Sequence, residues 1–186
     1  MQKQEVISQW HNEIKKLNHL YKESFSGLDN GLLNKPRNDG GWSVAQNISH
    51  VIRLNQSYFK TFEKVEKGQH KTPLLGYVPF YPKIIGNTFL KYVDANRSKS
   101  VGTLPPWKPA DEHFDSTVLE DFLESQELFR KHIEKLEGQI FKKKIIASPI
   151  TSLIVFHLET AIDILLEHEE RHFNQALATV NELQES

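Results

Sequence analysis

Hydrophobic and polar residues repeat with a helical period along most of the chain. In four segments the apolar side chains recur every three or four positions, which is typical of helices that bury one face. These segments are residues 4–28, 44–67, 117–136 and 148–183. Glycines at 27, 68 and 138 mark the predicted ends of the first three. The pattern therefore predicts an all-α protein built from four long helices.

Capping signals support the predicted starts of the last three helices. Ser43 with Gln46 three residues later has the form of a capping box, in which two side chains satisfy backbone N–H groups. Ser148 before Pro149 fits a cap followed by proline at the first helical position. The candidate caps of the third helix are Asp115, Ser116 and Thr117, the last with Glu120 as its capping-box partner.

A long segment rich in proline and aromatic residues, 68–115, separates the second and third helices. A short helix is predicted within it, over 83–94. So long a connection can travel the length of a bundle, which lets the second and third helices run in the same direction. We therefore predict a single domain over residues 1–186. Its fold is an all-α four-helix bundle, up-down-down-up, with a long crossover between helices 2 and 3.

The charge balance argues against two classes of partner. The chain has 23 Lys and Arg against 24 Asp and Glu, and a net charge of −1 offers no overall attraction to nucleic acid or an anionic membrane. The longest apolar run, residues 153–156, is too short to span a bilayer. The polar N-terminal residues do not resemble a secretory signal. We expect a cytoplasmic protein that acts on a small molecule, with no nucleic-acid or membrane partner.

The sequence contains no cysteine. This excludes disulfides, thiolate metal ligands and a cysteine nucleophile. Any metal ion would have to be held by histidine, by carboxylates or by other oxygen donors.

Three histidines are placed to meet at one end of the predicted bundle. His168 and His172 are four residues apart, so they lie on one helix face about 6 Å apart along the axis. His50 lies near the start of the second helix, which is predicted to run antiparallel to the fourth. Three imidazoles with an open position are the ligand set of a catalytic metal site. We therefore predict a divalent metal site at His50, His168 and His172.

The pair on the fourth helix is weak evidence when it is taken alone. A solvated face is a natural alternative for His168 and His172, because residues 167 and 169–171 are charged. The helical wheel instead places both on the apolar stripe, where an imidazole needs a hydrogen-bond partner or a metal. His157 falls on the same stripe but about 16 Å lower, so we predict a hydrogen-bonded core histidine there. Asp163 and Glu159 are interpreted as surface residues or members of ion pairs.

Two stretches resemble the DinB-like superfamily of four-helix proteins. Residues 41–50, Gly-Trp-Ser-Val-Ala-Gln-Asn-Ile-Ser-His, resemble the family's Trp-Ser start of the second helix leading to its first metal histidine. Residues 168–175, His-Glu-Glu-Arg-His-Phe-Asn-Gln, resemble its His-three-residues-His element followed by Gln. The order of the elements and the long connection are similar too, so the resemblance covers almost the whole chain.

The resemblance implies an up-down-down-up bundle with a three-histidine site for zinc or nickel. The ligands it implies are His50, His168 and His172. Family members with known activity include bacillithiol transferases and mycothiol-dependent maleylpyruvate isomerase, and many others are described as metal-dependent hydrolases without a demonstrated reaction. Dimers are common, so a homodimer is expected. Because this chain has no cysteine, a reacting thiol would arrive on a low-molecular-weight cosubstrate.

Three functional hypotheses follow from these observations. The first is a metal-dependent enzyme that activates a cosubstrate thiol for transfer to an electrophile, or a water for hydrolysis. The second is a non-catalytic protein that binds a metal or a small ligand. The third is a helical interaction protein whose histidines are incidental, and it requires two motifs to coincide by chance.

Further residues are candidates for supporting roles. Asn47, Arg53 and Gln175 lie about one helical turn from the predicted ligands and could orient them or bind substrate, although a polar helix end facing solvent explains each equally well. The 68–115 segment could cover the metal, with an apolar pocket lined by Tyr77, Phe80, Tyr81 and Trp107. For most of these aromatic residues we favour the simpler role of attaching the crossover to the bundle.

Overall fold

The computed structural model describes residues 2–95, 105–109 and 113–185. Within these ranges the chain forms helices joined by short turns, and one small sheet. The helices are α1 (Gln2–Phe25), α2 (Asn30–Asn34), α3 (Val44–Glu66), α4 (Tyr81–Val93), α5 (Val118–Phe141) and α6 (Leu158–Gln184). The strands are β1 (Ile145–Ser148) and β2 (Thr151–His157), and the 3-10 turns are Leu74–Tyr77 and Pro105–Trp107.

The four long helices form the predicted bundle. Helix α3 packs against both α5 and α6, and α1 packs against the same two helices from the other side. Side-chain pairs give their directions. Helices α3 and α6 are antiparallel, since Asn47 bonds His172 while the later His50 contacts the earlier His168. Helix α1 is parallel to α6, because its successive contacts follow those of α6 in order: Trp10 with Asp163, then Lys16 with Glu170.

Helix α5 completes the arrangement by running parallel to α3. The ring of Phe59 contacts that of Phe129, and farther along both helices Glu66 bonds His132. The order is therefore up, down, down, up, and the prediction of an all-α bundle with this topology is confirmed. The long connection makes this possible by returning the chain to the starting end of α3.

Buried aromatic and aliphatic side chains fill the space between the helices. Near the start of α5, Tyr21 stacks on Phe122 with ring centroids 4.1 Å apart. Farther along α5, the side chains of Phe62, Phe129 and Ile133 have no exposed surface. Full burial of such side chains supplies most of the stability of a helical bundle. The buried apolar side chains form two clusters, one that contains Phe62 and Phe129 and one that contains Tyr21 and Phe122.

The capping box at the start of α3 is formed as predicted. The Ser43 hydroxyl accepts a hydrogen bond from the Gln46 backbone N–H at 3.1 Å, and the Gln46 side chain accepts one from the Ser43 N–H at 3.0 Å. This fixes the first turn of the helix that carries His50. At α5 the residue preceding the helix is Thr117, whose side chain forms no cap bond to that helix.

We expect Ser43→Ala to lower the free energy of unfolding by about 1 kcal/mol, because one N–H at the start of α3 loses its partner. Chemical denaturation monitored by circular dichroism measures the change. Thr117→Ala is the matched control, since Thr117 precedes a helix of similar length without capping it; it should stay within about 0.5 kcal/mol of the parent. Equal losses in the two variants would contradict the assignment of the cap.

Three predicted boundaries are wrong. Helix α1 ends at Phe25 and a short helix, α2, follows where only a turn was expected. Helix α5 continues through Gly138 to Phe141, because a glycine within a helix costs only about 1 kcal/mol and does not oblige it to end. Helix α6 does not begin at Ser148: residues 145–157 form an antiparallel hairpin that pairs Ile145 with His157.

The hairpin changes the interpretation of two residues. His157 is the residue before α6, and its Nδ1 lies 3.2 Å from the Lys143 carbonyl, so the prediction that it belongs to the apolar stripe of the helix is wrong. Asp163, in the second turn of α6, is half-buried and accepts a hydrogen bond of 2.7 Å from the indole N–H of Trp10. It therefore joins α6 to α1, and among the described residues it forms no ion pair.

The crossover packs onto the bundle at two places. Helix α4 lies against β2 and α6, and the 3-10 turn Pro105–Trp107 lies against α3. The second of these contacts brings Trp107 next to His50. In the described ranges no helix combines the length and apolar character that a membrane crossing requires.

Candidate metal centre

The structure brings His50, His168 and His172 together. His50 comes from the second turn of α3, and the other two come from the middle of α6. One nitrogen from each ring lies within 4.8 Å of the others. The closest approach is between Nε2 of His50 and Nε2 of His168, at 3.1 Å. Among the described residues, these three histidines are the one group of potential metal ligands that lie close enough together to hold an ion. The group contains no carboxylate.

The tautomer of His50 is fixed by the crossover. Its Nδ1 lies 2.5 Å from the backbone carbonyl of Trp107, which can only accept a hydrogen bond. Nδ1 therefore carries the proton and donates it, while Nε2 keeps a lone pair turned toward the other two histidines. The Trp107 indole in turn donates to the Ser57 hydroxyl at 3.2 Å, which anchors the 3-10 turn on α3.

The tautomer of His172 is fixed by Asn47. The side-chain amide of Asn47 donates from Nδ2 to the Ser43 carbonyl at 2.9 Å, which leaves Oδ1 to face Nδ1 of His172 at 2.8 Å. His172 must then donate from Nδ1 and keep its Nε2 lone pair free. Ser43 thus has two tasks: its hydroxyl caps α3 and its carbonyl holds the residue that orients a histidine.

We expect Asn47→Ala to weaken divalent-metal affinity about 10–100-fold, the usual effect of removing a hydrogen-bond partner of a ligating histidine. Competition titration against a metal chromophore measures the affinity. Asn47→Asp supplies the comparison, because its carboxylate still accepts from Nδ1 of His172 and should retain most of the binding. Loss in both variants would indicate a general packing defect, and loss in neither would contradict the orienting role.

His168 differs from its two neighbours. Its Nδ1 is buried and has no hydrogen-bond partner in the described part of the chain, while its Nε2 faces the lone pair of His50. Two nitrogens bound to one tetrahedral zinc ion at about 2.0–2.1 Å lie roughly 3.3 Å apart, close to the observed 3.1 Å. The donor set therefore fits a shared divalent cation, which would satisfy all three inward nitrogens.

Burial keeps the three imidazoles neutral. It lowers the pKa of His50 to about 4, with the Trp107 carbonyl opposing the shift. The pKa values of His168 and His172 are well below the usual range, first because both are buried and then because of neighbouring imidazoles and Arg171. A neutral imidazole is the form that binds metal, so the site needs no proton loss near neutral pH.

Trp42 forms one wall of the site. Its ring lies 5.0 Å from that of His50 and stacks on His172 with centroids 5.7 Å apart and planes 19° from parallel. Trp42 directly precedes the cap of α3, where an apolar residue often packs against the fourth residue of the helix. Here that fourth residue is the polar Asn47, and this was the one signal in the sequence that the Trp42 ring packs against other side chains. Trp42 and the Trp107 carbonyl are the contacts that sequence reasoning did not find.

The remaining candidates lie at different distances from the trio. The Arg53 guanidinium, one turn after His50, donates to the Lys108 carbonyl at 3.3 Å and borders a surface groove between α3 and the start of α5. Gln175 is half-buried one turn after His172, and its backbone carbonyl accepts from Thr179.

Most of the aromatic residues of the crossover lie away from the site. Tyr77 and Phe80 are 72% and 77% exposed. The Tyr81 hydroxyl donates to the Leu153 carbonyl on the hairpin. Trp107 alone of the four predicted pocket residues reaches the histidines, which agrees with the simpler role expected for most of them.

Comparison with known proteins adds a family relationship. A family model described as the DinB superfamily matches residues 9–176. This span contains the three histidines, all of α3, α6 as far as Ala176, and the crossover between α3 and α5. No curated protein and no solved structure gives a significant match.

Proposed function

The chain belongs to the DinB superfamily, and from this premise we propose that it is a metal-dependent enzyme whose divalent ion is held by His50, His168 and His172. Zinc or nickel is the expected ion, because imidazole ligands suit both. The observation that carries the proposal is the pair of hydrogen bonds behind the rings. The Trp107 carbonyl and Asn47 each accept from an Nδ1, and so direct an unprotonated Nε2 inward.

The proposed chemistry is nucleophile activation. A divalent ion at this site would lower the pKa of a bound water or thiol and so favour its nucleophilic form near neutral pH. The protein itself supplies no thiol, so thiol transfer requires a low-molecular-weight thiol as cosubstrate and a small electrophile as acceptor. Hydrolysis of a small-molecule substrate is the other reaction of this class.

The surrounding residues have separable roles in this proposal. Trp42 and the Pro105–Trp107 turn shield one side of the imidazoles from water. Asn47 and the Trp107 carbonyl hold ring orientation. Arg53 and Gln175 are proposed to contact substrate, since each lies one helical turn beyond a ligand.

A non-catalytic metal-binding or small-ligand-binding role is the second candidate. The observation that favours it is the absence, among described residues, of a carboxylate grouped with the three histidines. The three-histidine group itself, as the described residues form it, therefore includes no carboxylate to serve as a general base. Thiol transfer depends less on such a base than hydrolysis does, because a thiol loses its proton more readily than water.

Metal identification followed by activity assays tests the proposal. Protein purified without a histidine tag should contain close to one equivalent of zinc or nickel. It should then accelerate transfer of at least one of several low-molecular-weight thiols to a small electrophile, or hydrolysis of a small ester or amide. His50→Ala should abolish both metal and activity. Full metal with no turnover on any substrate would favour the non-catalytic role.

Three further expectations complete the proposal. We propose that residues 1–186 form one domain, that the protein works in the cytoplasm and that it forms a homodimer. The dimer rests on the family relationship. Light scattering coupled to gel filtration measures the molar mass and would show a monomer if the expectation is wrong.

A further inference from the structure

One end of the molecule displays large apolar side chains to solvent. Between the end of α3 and the start of α4, and on the tip of the hairpin, six such residues are 43–87% exposed: Leu74, Tyr77, Val78, Phe80, Ile84 and Leu153. We call this set the apolar tip. Soluble proteins expose single hydrophobic residues routinely, but a contiguous group marks an interaction site.

The six residues belong to one surface. The 3-10 turn Leu74–Tyr77 contacts both β2 and α4, and α4 contacts β2. The Tyr81 hydroxyl ties the start of α4 to Leu153 on the hairpin. The backbone of Gly76 packs closely against the side chain of Ile145, and this contact places the turn beside β1. The apolar tip is therefore built by three neighbouring elements at the end of the bundle opposite the three histidines.

The charge of the same elements is strongly one-sided. Residues 67–93 and 141–158 contain seven lysines and no aspartate or glutamate. The rest of the chain then carries sixteen basic residues against all twenty-four acidic ones. The overall charge of −1 thus combines a basic crossover and hairpin with an acidic remainder of the sequence, and the sequence-wide balance does not describe these two segments.

Several of these lysines are available to a partner. Lys71, Lys83, Lys142 and Lys143 are exposed, and none forms a salt bridge in the part of the chain that the structure describes. Lys67, by contrast, pairs with Glu63 at 3.2 Å. Exposed lysines therefore lie on the crossover and at the base of the hairpin, the segments that build the apolar tip, and Glu63 lies on the neighbouring α3.

Phe80 is held outward by a costly backbone conformation. Its φ of 63° lies in the left-handed region, which residues other than glycine seldom adopt. Its side chain is 77% exposed, so the ring gains little from packing within the described chain, although the Phe80 carbonyl accepts a hydrogen bond from the Ile84 N–H at 3.0 Å. Strain of this kind concentrates at functional positions.

From these observations we propose that the apolar tip and its lysines dock the protein on the surface of an anionic lipid bilayer. Phe, Tyr, Leu and Ile would enter the interface while the lysines contact headgroups, which is the composition of interfacial membrane-binding surfaces. A protein partner fits less well, since protein interfaces are depleted in lysine. The side chains also project from short turns and a hairpin tip instead of lining a groove.

Co-sedimentation of the full chain with vesicles tests the proposal. Vesicles of phosphatidylcholine with one third phosphatidylserine should bind the protein, and vesicles of phosphatidylcholine alone should bind it about tenfold less. Phe80→Ser combined with Leu74→Ser should lower partitioning about tenfold or more. Lys71→Glu combined with Lys83→Glu should lower vesicle binding to a similar degree. Raised salt should also weaken the binding of the parent protein to anionic vesicles.

Leu128→Ser is the matched control, because Leu128 is 45% exposed on α5 outside the apolar tip. It should bind vesicles as the parent does. Equal sedimentation with and without phosphatidylserine would overturn the proposal. Equal losses of vesicle binding in Leu128→Ser and in the Leu74→Ser, Phe80→Ser double variant would also overturn it. So would a dimer that the double variant abolishes, because the tip would then be an interface between two copies. Metal content, set at the opposite end, should be unchanged in every variant.

Discussion

Replacing His172 with alanine is expected to lower the metal content of the tag-free protein from about one equivalent per chain to less than about a tenth. The substitution leaves two imidazoles, His50 and His168, which cannot enclose an ion as three can. It also leaves the Oδ1 atom of Asn47 without its present partner, 2.8 Å away. Elemental analysis after equilibration with a defined zinc concentration measures the loss, and any enzymatic turnover should fall with it.

The control for this experiment is a histidine outside the trio. His157 is half-buried at the start of α6, eleven residues before His168, and its Nδ1 lies 3.2 Å from the Lys143 carbonyl. His157→Ala should therefore keep the full metal content. If His172→Ala folds normally by circular dichroism and still binds as much zinc as the parent, the three histidines are not the metal site.

The position of the trio could be predicted because it depends only on regular structure. A spacing of four residues sets His168 and His172 on one helix face whatever surrounds them. His50 joins them because α3 and α6 are antiparallel, and that direction follows from the length of the connection between α3 and α5. Helical geometry and chain connectivity are therefore sufficient to predict which three histidines meet.

The contacts behind the rings were predicted unevenly. Asn47 was a candidate because it lies one turn before His50, but its actual partner is His172 on the opposite helix. The Trp107 carbonyl could not be predicted, because a backbone carbonyl leaves no residue-type signal and the 105–109 segment has no periodicity. Contacts made by irregular segments depend on the whole fold and are not encoded in local sequence.

The hairpin shows how local signals can mislead. Ser148 and Pro149 fit a helix start, yet Ser148 ends β1 and pairs with Thr151, and Pro149 begins the turn to β2. The flanking residues are rich in β-branched side chains, which favour strands, and only His157 separates the apolar run 153–156 from the first residue of α6. A continuous apolar pattern cannot by itself separate a buried strand from the helix that follows it.

Asp163 shows the limit of charge-based interpretation. An acidic residue on a long helix is usually solvated, and nothing near it in sequence suggests otherwise. In the fold it lies against α1, where Trp10 donates to it at 2.7 Å. Burial raises its pKa from 3.8 to about 6, with the Trp10 hydrogen bond opposing the shift and Glu159 and Glu167 adding to it.

We expect Asp163→Asn to stabilise the folded protein by up to about 3 kcal/mol at mildly alkaline pH, since each pKa unit corresponds to about 1.4 kcal/mol. The asparagine oxygen still accepts from Trp10, but no charge is buried. Chemical denaturation of the parent and the variant at a series of pH values measures the difference in unfolding free energy. Glu124→Gln, at an exposed acid on α5 that does not contribute to the Asp163 shift, should change stability by no more than about 0.5 kcal/mol.

The pH dependence follows from the direction of the shift. Between pH 3.8 and about 6 the folded parent keeps a proton on Asp163 that the unfolded chain has already lost. The parent therefore loses stability through this site as pH rises across that window, and the loss is constant above it. The advantage of Asp163→Asn should be absent below the window, grow within it and then level off. A variant less stable than the parent at alkaline pH would show instead that the Trp10 hydrogen bond to the ionised carboxylate outweighs the cost of its burial.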